Sequence, residues 1–303
     1  MTPVEYADRY RSLTIHANGQ SLSDVRVEIY RIGKPDDEQQ RLWQALREHF
    51  QKNKQKDVRY SLKIRLNGSE EQFDSAAKLV KHVTAPYWGK GSPDDCQITL
   101  SIAVILGRTT LARVQTYARD HIGLDCNGFV GNFIWHERLQ NPWFLRPDVN
   151  DTPAPSANIA SIYNWAYDYA KANKALVSKR EDIDPERTYM MMLVDDKFRV
   201  IPGGPGGSTG HIVVTQPKRF MPKSFTWDSM GFYDLTMAQK NAYGHPALWA
   251  VESTGPEMLV GLKESWYAIR EWKGAGNKPV PGVFDVYRGS KGSAWRCRIV
   301  PMP

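Results

Sequence analysis

The residues whose types and spacing could do chemistry lie first in Gly123–Val130, GLDCNGFV. Asp125 is a preferred helix N-cap type, its carboxylate able to accept from the free N–H groups of a first turn. Cys126 then takes the first helical position, where unpaired N–H groups and the positive end of the helix dipole favour a thiolate. The same N–H groups can stabilise a developing oxyanion. Gly128 leaves space beside the sulfur, and Phe129 and Val130 carry the helix into a core. The structural alternative is a small buried thiol, free cysteine being among the most buried residue types.

A thiolate nucleophile needs a base that activates it and later protonates the leaving group. Of seven histidines, His211 stands at the start of the apolar strand GHIVVT, directly after the glycine-rich stretch Pro202–Gly210. A hydrogen-bonded structural histidine is the other reading of that position. The imidazole needs an orienter that fixes its tautomer. Glu252 interrupts the apolar strand ALWAVEST (Ala247–Thr254), where a carboxylate is costly unless it is paired. Its alternative is an outward place on a one-sided sheet. His245 is the rival orienter, but Pro246 puts it in a turn.

Other motifs carry less. Gly206–Gly210 (GGSTG) matches G-x-S-x-G formally, but a nucleophile elbow needs a strand before the serine and a helix after it. His136-Glu137 lacks the second histidine of H-E-x-x-H, and no Cys/His cluster has zinc spacing, so no metal is expected. No phosphate-binding G-x-x-x-x-G-K-[ST] loop occurs. The basic run Lys52–Lys56 lacks interleaved aromatics, so no nucleic-acid partner is expected.

The elements that must position these residues divide the chain in two. Residues 1–83 read as a small α+β module: strands at Asp24–Ile32 and Arg59–Leu66, and helices at Asp36–Asn53 and Ser69–Val83. This module shows no catalytic pattern, and its partner is unknown. Residues 84–303 begin with the turn-rich Thr84–Pro93 and continue with helices at Thr109–Asp120, Cys126–Leu139 and Ile159–Asn173, with Trp143–Asn158 irregular. After about residue 188 strands take over, at Tyr189–Val194, Phe198–Ile201, His211–Thr215, Ala247–Ser253, Ser265–Trp272, Phe284–Arg288 and Arg296–Val300. Helices followed by strands predict an α+β domain with an antiparallel sheet.

Composition bounds this picture. In 303 residues, 41% hydrophobic and 11% aromatic content supports a sizeable core and excludes general disorder. No apolar run approaches the ~18 residues of a membrane span, and the N-terminal stretch lacks the basic-then-apolar pattern of a secretory signal. Three cysteines cannot all pair, which excludes a disulfide scaffold. A net charge of +7 is mild and favours polyanionic partners without identifying one.

The D-C-x-G-F-V run opening a helix, Gly-His before an apolar strand, and a polar residue on the next strand together resemble the NlpC-type papain-fold peptidases. That resemblance implies a papain-like domain whose antiparallel sheet packs on a cysteine-bearing helix. It also implies cleavage of amide bonds in peptidoglycan stem peptides, with action at the cell wall. Carried over residue by residue, it makes Cys126 the nucleophile, His211 the base and Glu252 the orienter, with Asp125 and Gly128 flanking the thiol. No cofactor is implied. Tyr87 in Tyr87-Trp88-Gly89-Lys90-Gly91 resembles the family's upstream tyrosine loop, its hydroxyl facing the active site and assisting the oxyanion.

The chain departs from the family in four places. Asn127 replaces the usual serine after the cysteine. Tyr87 lies 39 residues before Cys126, implying a helical insertion at about 94–122, and the 85 residues from Cys126 to His211 imply another. Cys96, in PDDC, sits nearer the tyrosine loop but lacks the following glycine. Glu252 stands where the family often has histidine. Papain-fold relatives also include acyltransferases, deamidases and thioesterases, and a non-catalytic binding module could keep the same fold.

Overall fold

Two Asn-Gly pairs shape the N-terminal region. A computed structural model describes residues 1–32, 37–140, 159–184, 186–202, 210–219, 226–228, 232, 234–243, 247–255, 259–289 and 294–302. After helix α1 (Pro3–Arg11), strands β1 (Leu13–Ala17) and β2 (Gln20–Val25) form an antiparallel hairpin around Asn18-Gly19. Helix α2 (Asp37–Lys54) buries Leu42, Leu46 and Phe50 at helical spacing. Strands β3 (Leu62–Leu66) and β4 (Ser69–Phe73) then form a second hairpin around Asn67-Gly68. All four turn residues have positive φ, from 49° to 85°, as a two-residue turn matched to strand twist requires.

The helix expected over Ser69–Val83 is therefore corrected. Its first five residues pair with β3, and only the short α3 (Ala76–Leu79) is helical. The strand expected over Asp24–Ile32 likewise ends at Val25, leaving isolated bridges at Ile29 and Tyr30. Over Ser69–Phe73 the Asn67-Gly68 turn outweighed the apolar spacing.

A 3-10 turn at Ala85–Trp88 leads into α4 (Pro93–Ile105), whose start is fixed by a Ser92/Asp95 capping box. Helix α4 is buried nearly throughout, packing on β1 and β3. Helix α5 (Val114–His121) and the start of α6 (Cys126–Gln140) follow. These elements make a first compact unit, Glu5–Asn132 with Ser253–Leu262. The expected division at 83/84 does not coincide with this grouping, because α4 packs on the strands of the N-terminal module.

The second unit comprises Met1–Val4, Phe133–Glu252 and Lys263–Pro303. Helix α7 (Ile159–Ala172) packs on its sheet, and α8 (Met237–Tyr243) is a short excursion. Strands β5 (Tyr189–Leu193), β6 (Ile212–Thr215), β7 (Ala247–Ser253), β8 (Leu262–Lys273), β9 (Pro279–Arg288) and β10 (Ala294–Pro301) close a barrel in the order β10-β5-β6-β7-β8-β9. Phe198–Ile201, expected as a strand, contributes one bridge (Val194 with Val200) beside a turn held by the Asp195 carboxylate. Residues 141–158, 203–209 and His245 lie outside the described residues.

Alternation sets the barrel interior. Tyr189 and Met191, Val213, Leu248 and Ala250, Tyr267 and Ile269, Phe284 and Val286, and Cys297 and Ile299 form one buried cluster drawn from all six strands. In a closed barrel the face common to every strand is the inside. Ala268 and Tyr287, of opposite parity, join Phe232, Leu235 and Tyr243 in a separate outer cluster. The inward parity, continued one step, selects His211, Glu252, Arg288 and Trp295.

Candidate active site

Cys126 opens α6 and is 5% exposed. The three residues before it are tied down on both sides of the backbone. Gly123 N–H donates to the Pro86 carbonyl (3.3 Å), Leu124 N–H to Ile29 O (2.8 Å) and Asp125 N–H to Gly89 O (3.1 Å). The Leu124 carbonyl accepts from Arg31 N–H (3.1 Å) and from the Ser253 hydroxyl (2.9 Å).

Asp125 caps the helix: its Oδ1 accepts from Gly128 N–H, and its Oδ2 lies 2.5 Å from the Lys90 ammonium. Burial pushes this carboxyl up, against the downward pull of Lys90 and of the Gly128 N–H. Gly128 is required by close approach. A Cβ there would stand 1.9 Å from the Gly89 carbonyl oxygen. Gly89 itself has φ +72, and a Cβ on it would meet Arg31 O at 2.4 Å. Asn132, one turn beyond Gly128, donates to Lys90 O (2.9 Å) and Gly128 O (2.8 Å). Phe129 packs against Tyr6 and Tyr10 of α1, with ring centroids 5.9 and 6.2 Å away. The Tyr-Trp-Gly-Lys-Gly loop is thus the cradle of the cysteine helix start.

Tyr87 is fully buried, and its hydroxyl lies 2.6 Å from that of Tyr117. Tyr117 in turn donates to Glu38 (3.1 Å), which Arg108 holds with two nitrogens at 2.8 and 2.6 Å. Burial alone would raise the Glu38 carboxyl, but Arg108 and Tyr117 hold it below the usual range. The structure gives the Tyr87 hydroxyl this internal network as its setting.

His211 and Glu252 belong to the barrel of the second unit, and there they meet. His211 Nε2 is 2.9 Å from Glu252 Oε2, and the imidazole edge lies against Trp295 at 5.6 Å between centroids. The register Val214 with Val251 and Thr215 with Ala250, continued along the strands, places Glu252 diagonally across from His211 on the inner face. Glu252 is 0% exposed, and Arg288 Nη1 donates to its other oxygen at 3.0 Å. Burial pushes this carboxyl up, but His211 and Arg288 outweigh it and hold the group below the ordinary range. Facing a carboxylate, Nε2 is the donor of this hydrogen bond, which fixes the orientation of the ring.

Cys96 and Cys297 are fully buried. Burial pushes both thiols well up, and for Cys96 the neighbouring Asp95 and Asp94 add to it. Neither suits a nucleophile. Among the described residues, no three His, Cys, Asp or Glu side chains gather as a metal site. No described helix is long and apolar enough to cross a membrane.

Two members of these constellations were not chosen from sequence. Arg288 shares the inward parity of Phe284 and Val286, but a strand-end arginine gives no sign of its partner. Asn132 lies one turn after Gly128 on α6, and its backbone targets are invisible in sequence. No family model, no curated protein and no solved structure matches the chain.

Proposed function

We propose that this chain is a cysteine hydrolase of papain-like, NlpC-type character that cleaves an amide bond in peptidoglycan stem peptides. The observation that carries the reading is the His211–Glu252 pair. Two residues 41 apart, selected for imidazole-and-orienter chemistry, lie 2.9 Å from each other with the carboxylate fully buried. Supporting it is the start of α6, where the cysteine follows its cap and its backbone is held by the preceding loop.

In the proposed reaction the Cys126 thiol gives its proton to His211 Nδ1, and the thiolate forms a C–S bond to the scissile carbonyl carbon. The oxyanion is received at the N–H groups that open the helix. The imidazolium returns the proton to the leaving nitrogen as the C–N bond breaks. Water then attacks the thioester, its proton passing to His211, and the thiolate leaves and is reprotonated. Glu252 holds the ring and stabilises its charged form throughout. The net charge of +7 aids approach to an anionic wall.

The test is digestion of purified sacculi with wild type and Cys126→Ala, with fragments identified by mass spectrometry. Stem-peptide fragments from wild type alone are expected; equal release by both proteins overturns the nucleophile assignment.

A further inference from the structure

The carboxylate that orients His211 has a second, charged partner, and this reshapes what the pair can do. Glu252 uses both oxygens: Oε2 toward His211 Nε2 at 2.9 Å and Oε1 toward Arg288 Nη1 at 3.0 Å. Arg288 is about three-quarters buried and sits on β9 opposite Tyr267 of β8, all on the inner face. A fully buried carboxylate facing only an imidazole would trap it as imidazolium, because the anion has no other counter-charge at that depth.

We propose that Arg288 is a positioning residue that shares the charge of Glu252, so that His211 is held in orientation yet remains free to gain and lose its proton. This deepens the function proposed above and rests on it for its catalytic meaning. The clamp itself is a property of the barrel alone.

Charged and titratable groups on β8 and β9 act on the pair. From β9, the Arg288 cation repels an imidazolium and draws on the carboxylate. From β8, the Tyr267 ring stands beside both, its hydroxyl pushed well up by burial and then by the Glu252 charge. Lys263, also on β8, feels both Arg288 and Glu252, and its ammonium is lowered first by burial and then by Arg288. Trp295 of β10 contributes an uncharged ring. The only strong cationic partner bonded to Glu252 among these is Arg288, whose charge is favoured by Glu252 over the opposing effect of burial.

The experiment is an NMR titration of the His211 Hε1–Cε1 signal in wild type, Arg288→Gln and Arg288→Lys, repeated in a Cys126→Ala background. Removing Arg288 strips one repulsion from the imidazolium and leaves Glu252 a better acceptor, so both effects act in one direction. Arg288→Gln is expected to raise the His211 pKa by about one unit, a tenfold change in proton affinity. Arg288→Lys, which keeps the charge, is expected to restore most of it. An unchanged titration in a folded Arg288→Gln protein overturns the proposal.

Should that variant fail to fold, the Glu252 carboxyl carbon in His211→Gln decides, because the imidazole is then absent. A carboxyl still titrating below the ordinary glutamate value supports the clamp, and one titrating at or above that value overturns it. Because the readout needs no substrate, a shift that persists in Cys126→Ala stands even if no stem peptide is cleaved.

Discussion

Replacing Gly128 by alanine is the sharpest probe of how the cysteine is presented. A glycine inside a helix ordinarily costs about 1 kcal/mol relative to alanine, so at an open position Gly128→Ala would stabilise the protein. Here the new Cβ would stand 1.9 Å from the Gly89 carbonyl oxygen and 2.9 Å from both Asp125 Oδ1 and the Gly89 carbonyl carbon. An ordinary contact lies beyond about 3.4 Å, so loop and helix start must part by more than an ångström. The obstacle is backbone, which has no rotamer to escape into. That separation breaks the Asp125 N–H bond to Gly89 O and disturbs the cap on the Gly128 N–H. Overpacking of this kind costs about 1–3 kcal/mol, and a lost cap and hydrogen bond about 1 kcal/mol each. Against the propensity gain, the net is a loss of about 2–4 kcal/mol. Urea unfolding read by tryptophan fluorescence measures it as a lower midpoint with the slope unchanged. A midpoint equal to or above wild type would refute the close approach of loop and helix.

Two further outcomes follow from other parts of the structure. Because the Glu252 carboxyl is held below its ordinary value, its contribution to stability is complete above the ordinary glutamate range and is lost as pH falls through its lower, folded value. Wild type should therefore lose urea resistance as pH falls below the ordinary glutamate range, while Glu252→Gln starts weaker and changes less there. Parallel curves for the two proteins would contradict the assignment. At Gly68, φ is +85 and nothing lies within 4 Å of an added Cβ, so Gly68→Ala tests backbone strain without a clash. It should cost about 1–2 kcal/mol in urea unfolding, and no loss would contradict the tight Asn-Gly turn.

The helix start at Cys126 and the pairing of Glu252 were more legible than the scaffold around them, for physical reasons. An Asp-Cys pair ahead of an apolar run marks a helix start by capping chemistry alone, and α6 begins at Cys126. A carboxylate in an apolar strand needs a partner, and Glu252 has two. Arg288 escaped notice because its partner lies 36 residues away, and strand alternation says which face a residue takes but not which strand is adjacent. The hairpins at Asn18-Gly19 and Asn67-Gly68 carry turn residues as their sequence signal, and apolar spacing alone does not reveal them. Barrel closure was not readable, because strand order depends on pairings distant in sequence, such as β10 with β5. The bond between Ser253 and Leu124 spans 129 residues and joins a strand end to the approach to Cys126, a contact that no local pattern encodes.

The proposed function requires His211 to activate the Cys126 thiol. The pH dependence of iodoacetamide alkylation, read peptide by peptide in wild type and His211→Gln, tests that step. Cys96 and Cys297 are fully buried and serve as internal controls that react only on unfolding. With His211 as its base, Cys126 in wild type is alkylated readily at neutral pH, and His211→Gln slows that alkylation at least tenfold. Identical profiles for the two proteins, or a Cys126 as inert as the other two thiols, would contradict it.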